Sequence, residues 1–219
     1  MSTAKILYPF EYEENEDYLN KQIITYLGNK RSLIPFIENG LNIVKSRLKK
    51  RKLKMFDVFS GSGIVARYFK QYSDLLVVND LEKYSEVINR CYLANKSEIN
   101  FGKLKNYYKE IIYKLENDQF YPGFITELYA PKNDNKIRAG ERVFYKRRNA
   151  EYIDTARKYV EAIPEEYQHF LLAPLLSEAS IHANTSGVFK GFYKDTKNNV
   201  GKFGGNKGDA LLRILGDIH

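Results

Sequence analysis

The sequence predicts an α/β fold with a parallel sheet in its first hundred residues, followed by a mainly helical region. Three observations predict it. Short apolar runs at Met55 to Phe59 and Leu75 to Val78 alternate with helical patterns, the first run enters a turn Ser60-Gly61-Ser62-Gly63, and the apolar strand runs cease after about residue 100. Strands alternating with helices are the pattern of a parallel sheet with crossover helices.

From Ser32 onward, Ile34, Ile37, Leu41, Val44 and Leu48 recur at steps of three and four, with Pro35 where a first helical turn tolerates it. This predicts an amphipathic helix of about four turns. Its end is a basic run, Lys45 to Lys54, which suits phosphates or the negative end of the helix dipole equally. The acidic stretch 11–17 before it reads as a solvated lead-in. After the glycine turn, Ile64, Ala66, Tyr68 and Phe69 give a second helix, and Val87, Ile88, Cys91 and Tyr92 a third over 85–94. Further helices are expected at 102–116, 149–162 and 164–182, between long polar loops. Two regions are thus expected, 1–100 and 101–219.

Composition narrows the function. The 219 residues carry a net charge of +8, with 43% hydrophobic residues, eighteen Tyr and thirteen Phe. That is a chain able to bury a core, and its charge favours a polyanionic partner. A lone Cys91 and three histidines exclude an internal disulfide and give no Cys/His metal cluster, so no metal is expected. No apolar run approaches the roughly 20 residues of a membrane span, which makes a cytoplasmic protein the default expectation.

The sharpest local signal is Asp57-Val58-Phe59-Ser60-Gly61-Ser62-Gly63, because closely spaced glycines let the backbone approach a ligand where a helix begins. Seventeen residues after Gly63, Asp80 ends the second strand, where a carboxylate commonly accepts hydrogen bonds from a ribose. The turn lacks both G-x-G-x-x-G and G-x-x-x-x-G-K-[ST], which argues against a dinucleotide enzyme and a P-loop ATPase.

Taken in order, Tyr26-Leu27-Gly28-Asn29-Lys30-Arg31-Ser32-Leu33, then Phe56 to Gly63, then Asn79-Asp80 resemble three motifs of adenine-specific DNA methyltransferases related to Dam. The resemblance implies a partial S-adenosylmethionine-dependent methyltransferase core of Rossmann-like type with a mainly helical DNA-recognition domain. It places Tyr26 against S-adenosylmethionine, Lys30 near its carboxylate, Phe59, Ser60, Gly61 and Gly63 around its methionine end, and Asp80 on its ribose. It also implies double-stranded DNA as partner, contacted by stretches resembling 139–149, with Arg147 and Arg148, and 180–205. The second stretch resembles a Gly-rich hairpin, in which Lys190, Lys194 and Lys202 interleave with Phe189, Phe192 and Phe203. Cations there would hold phosphates; an ordinary surface loop is the other reading. Asn184 and Ser186 either read a base edge or cap the preceding helix.

The family's Asp/Asn-Pro-Pro-aromatic loop has no counterpart here, since none of the six prolines is paired or preceded by Asp or Asn. No catalytic residue is therefore assigned. The expectation is a cofactor-binding and target-recognition part whose catalytic motif lies on a second polypeptide, or was lost by truncation. The rival expectations are a DNA-binding or specificity subunit that has lost catalysis, and an RNA methyltransferase.

Overall fold

In this computed structural model the described residues are 15–25, 28–185, 191–204 and 209–219. A short helix α1 (Glu16–Asn20), capped by the Asn15 side chain on the Asp17 amide, precedes a 3-10 turn at Arg31–Leu33 and helix α2 (Ile34–Leu48). Strand β1 (Leu53–Asp57), helix α3 (Ile64–Lys70) and strand β2 (Ser73–Val78) form one crossover unit, and the two strands pair in parallel. Helix α4 (Lys83–Tyr92) follows β2. The acidic lead-in expected at 11–17 is helical from Glu16; its first four residues lie outside the described part.

Side-chain alternation divides this sheet into two unlike faces. Leu53 and Met55 pack with Ile34 and Leu41 of α2 and with Ile64, Val65 and Tyr68 of α3. The opposite face carries Phe56 beside Val77 and Lys54 beside Leu75, and its apolar members stay open: Phe56 is 57% exposed, Leu75 52% and Val77 45%. Parallel strands are ordinarily covered on both faces. Here the described residues cover one.

The helical region comprises α5 (Phe101–Asn117), α6 (Phe124–Tyr129), α7 (Arg147–Glu161), α8 (Glu165–His182) and α9 (Asp209–Leu215). Ile111 and Leu115 of α5 meet Tyr152, Ile153, Ala156 and Val160 of α7, and Ile218 joins the same core. The Asp154 carboxylate accepts from the amides of Gly123, Ile125 and Thr126 and from the Thr126 hydroxyl. It satisfies the opening turn of α6 from another helix. The short α6 and α9 carry too few turns to show a period in the sequence, and neither was expected. The regions at 1–100 and 101–219 touch directly, because α8 packs on α4 and Ser180 Oγ accepts from the Thr25 amide at 2.9 Å. Among the described residues no helix is long and apolar enough to cross a membrane.

Among its described residues the Gly-rich stretch holds two isolated antiparallel bridges, Thr185 with Phe192 and Lys194 with Gly201. Between the partners of the second bridge Asp195 closes a tight turn, its carboxylate accepting from the Lys197 and Asn198 amides. Gly201 is there because nothing larger fits: a Cβ would lie 2.4 Å from Val143 Cγ2.

Candidate functional site

The site is built where β1 and β2 end side by side. Beyond Asp57 the chain turns through Ser60-Gly61-Ser62-Gly63 into α3, with Gly61 at φ 52° and Gly63 at φ 72°. Both are left-handed, a region other residues enter at a cost. Next to the turn, Asp80 stands two residues beyond the end of β2 and binds the turn: Asp80 Oδ2 accepts from the Gly61 amide at 2.8 Å, while Oδ1 accepts from the Glu82 amide at 3.0 Å. The carboxylate expected to hold ribose hydroxyls thus also fixes the glycine turn. Two accepted hydrogen bonds leave lone pairs for a ligand, so the roles are compatible.

Lys30 reaches the same place from the other side, its Nζ donating to the Phe59 carbonyl at 3.2 Å. The Phe59 ring is 74% exposed and Leu81, directly after Asp80, is 97% exposed. Two large apolar side chains therefore stand open beside two carboxylates and a lysine. Asp57 contributes a buried carboxylate oxygen, Oδ2, without a hydrogen-bond partner among the described residues. Burial pushes the Asp57 carboxyl above the usual range, Lys30 and the Phe59 backbone pull it back, and Asp80 adds to the rise. The sequence reading gave neither Asp57 nor Leu81 a role. The signal for Asp57 was its place at the carboxyl end of β1, where ligands of parallel sheets bind; nothing in the sequence marked Leu81.

Ser60 departs from expectation. Its side chain is 4% exposed and turned inward, with Oγ 3.2 Å from Ser85 Oγ and accepting from Asn89 Nδ2 at 3.0 Å. The cause is α4, which places Ser85 and Asn89 beneath the turn. Gly63 likewise serves packing more than ligand approach, since a Cβ there would meet Asn89 Oδ1 at 2.6 Å. Tyr26 lies outside the described residues.

The residues expected on DNA are scattered in their engagements. Arg147 opens α7, its guanidinium 2.9 Å from Glu151, and Arg148 sits 3.3 Å from Asp217 and over the Phe120 ring. Both side chains thus already have intramolecular partners. Asn184 does not cap α8, whose C-cap is Ala183, and its side chain is engaged inside the fold. It is 0% exposed, donating to the Val143 and Lys202 carbonyls and accepting from the Gly204 amide. Its amide is the root that ties the second bridge to the loop before α7. Lys194 is exposed and lies 5.2 Å from the centre of the Phe192 ring, which packs edge-on to Phe144. Lys202 is half-buried and pairs through its backbone with the Tyr193 carbonyl. Ser186 and Lys190 lie outside the described residues. Among the described residues no group of acids, histidines and cysteine could hold a metal ion.

Residues 26–203 match the family described as D12 class N6 adenine-specific DNA methyltransferase. The chain belongs to that family. Among its relatives are the type II methyltransferase M.NlaIII of Neisseria lactamica, 31% identical over 184 residues, which cover 81% of this chain and 51% of that protein. Another is the type II methyltransferase M.CviAII of Paramecium bursaria Chlorella virus 1, 31% identical over 179 residues, 80% of this chain and 50% of the relative. A third, modification methylase LlaI of Lactococcus lactis subsp. lactis, is 30% identical over 183 residues, 77% of this chain and 27% of the relative. The D12-class chain thus spans about half the length of the first two and about a quarter of the third. No solved structure matches it significantly.

Members of the D12 class depend on S-adenosylmethionine. The residues present fit that group. It carries an α-ammonium, a carboxylate, a ribose diol and an apolar adenine face, against which the turn offers the orphaned Asp57 oxygen, the Lys30 ammonium, the Asp80 carboxylate and the open Phe59 and Leu81 side chains.

Proposed function

We propose that this chain holds S-adenosylmethionine and contacts DNA for an adenine-specific modification methylase, with the residues that activate the adenine amino group outside these 219. The observation that carries the reading is the pair of carboxylates on either side of the glycine turn, one of them with a buried oxygen that has no partner among the described residues. Asp57 would take the cofactor's ammonium, Lys30 its carboxylate and Asp80 its ribose, while Leu81 and Phe59 flank the adenine ring. When bound, the cofactor supplies an electrophilic methyl group on sulfonium. Ser60 acts indirectly, holding the turn in shape through Asn89 and Ser85.

Target recognition belongs, in this reading, to residues 101–219. Lys194 and Lys202 would lie along phosphates, and the Asn184 root keeps the loops that carry them in a fixed relation to α7. Arg147 and Arg148 would add to the positive field, although each is already paired. Ser186 and Lys190 would complete the surface.

Two features support placing the amino-activating residues elsewhere. The sequence has no Pro-Pro pair, and one face of the β1–β2 pair is bare among the described residues, with Phe56, Leu75 and Val77 exposed. A further polypeptide or segment bringing more strands and helices would cover that face. Adenine nitrogen is a poor nucleophile while its lone pair is delocalised, so a positioned acceptor is required for transfer. The deciding experiment titrates S-adenosylmethionine into the isolated chain by calorimetry and assays methylation of duplex DNA with the chain alone. Binding without methylation is expected. Methylation at an enzyme-like rate by the chain alone would end the reading of where catalysis lies; absence of binding would end the reading of the site.

A further inference from the structure

Among the described residues Arg67 heads the fully buried side chains by volume, with a relative exposure of 2%. Among the described residues it pairs with no carboxylate. Its Nη1 donates to the Tyr18 carbonyl and its Nη2 to the Lys21 carbonyl at 2.8 Å, while Nε has no partner among the described residues. The Tyr18 and Tyr92 rings stand 5.7 and 5.8 Å from the guanidinium carbon. Burying a cation without an anion is costly unless its donors are met, so this arginine is a poor choice for filling a core. What it does meet are carbonyls at the end of α1, where a helix leaves acceptors unsatisfied.

The arrangement ties two parts of the site together. Arg67 stands on α3, the helix that starts at the glycine turn. The residues it grips run on through Ile23, 5% exposed, and Thr25, whose amide donates to Ser180, toward Lys30 on the Phe59 carbonyl. Tyr18 is fastened a second time, its hydroxyl donating to the Tyr92 carbonyl at 2.7 Å. Residues 15–25 therefore form a strap anchored on α3, α4 and α8, and Lys30 stands at the turn five residues further along the chain.

We infer that Arg67 is a positioning residue for the methyl donor: by clamping the Tyr18 and Lys21 carbonyls to α3 it sets where Lys30 stands, and hence how tightly S-adenosylmethionine is held. The inference rests on the cofactor site proposed above. A guanidinium is needed because two carbonyls are bound at once from one planar group, which a lysine ammonium on a flexible stem does not reproduce.

The test compares Arg67→Lys and Arg67→Met with Val65→Ala, which thins the core on the same helix. Each is measured for melting temperature, for S-adenosylmethionine affinity by calorimetry, and for tryptic cleavage after Lys21. Both Arg67 variants should lose about tenfold in affinity, the worth of one hydrogen bond from a charged donor, and be cut faster after Lys21. Val65→Ala should lower the melting temperature without matching that loss. Should an Arg67 variant fail to fold, Ser180→Ala loosens the strap from its far end by removing the acceptor of the Thr25 amide, and should weaken binding several-fold. The proposal is overturned if Arg67→Lys keeps the unaltered affinity while its strap is cut faster, if Val65→Ala weakens binding equally, or if Ser180→Ala leaves affinity unchanged. Failure of the unaltered chain to bind the cofactor would instead overturn the site reading, and this proposal with it.

Discussion

Replacing Gly63 by alanine tests whether the glycine turn is fixed by packing against α4. The added methyl meets two obstacles. The backbone stands at φ 72°, where a Cβ costs about 1–2 kcal/mol. It would also sit 2.6 Å from Asn89 Oδ1, closer than real contacts allow, so Asn89 must move. Its Nδ2 donates to Ser60 Oγ at 3.0 Å, to Ser85 O at 2.9 Å and to Ser85 Oγ at 3.0 Å, and two such bonds lost cost about 1–3 kcal/mol. The sum is about 2–5 kcal/mol, read by urea unfolding followed by circular dichroism. Asn89→Ala removes the obstacle and the same hydrogen bonds, so the double variant should fall short of the additive cost by about 1 kcal/mol or more. S-adenosylmethionine affinity should fall as well, since Ser60 loses its support. A cost below about 1 kcal/mol, or strict additivity with Asn89→Ala, would show that α4 does not hold the turn.

Further outcomes follow from the same geometry. Asp57 has a raised carboxyl pKa, so its protonated form is favoured by the fold; the stability it lends is complete below the unfolded value and is lost as pH rises through the folded one. Asp57→Asn should thus stabilise the free chain at neutral pH and weaken cofactor binding, and in the unaltered chain affinity should drop as pH falls through that raised value; calorimetry across a pH series that shows no such drop removes Asp57 from the ammonium. Asn184→Ala leaves two carbonyls and one amide unpaired in a buried place, a loss of about 2–4 kcal/mol that should also raise hydrogen exchange at the Gly204 amide; unchanged exchange there would refute its anchoring role. Lys194→Ala should weaken duplex DNA binding for all sequences alike and reduce the logarithmic salt slope by about 0.9, and an unchanged slope would take Lys194 off the phosphates.

What could be read in the sequence was whatever a short window determines. The apolar run Met55 to Phe59, the glycines at 61 and 63 and the period of Ile34, Leu41 and Leu48 each depend on neighbours within a turn or two; the helix and the turn stand where those patterns put them, while β1 lies two residues earlier than its run, at Leu53–Asp57. The unexpected side-chain engagements depend on partners far along the chain. Ser60 turns inward because of Asn89, Arg148 is drawn to Asp217, Asn184 is saturated by Val143, Lys202 and Gly204, and Arg67 is used by Tyr18 and Lys21. A sequence names donors and acceptors without saying whether each will face a ligand or another stretch of its own backbone. The competition is decided by burial: a polar group the fold encloses must find its partner inside, at a penalty of about 1–3 kcal/mol otherwise. By that criterion Asp57 Oδ2 is informative: like Asn89 Oδ1 it is an enclosed acceptor that the described residues leave unmet, but it stands beside the open turn, where water or a ligand's donor can meet it.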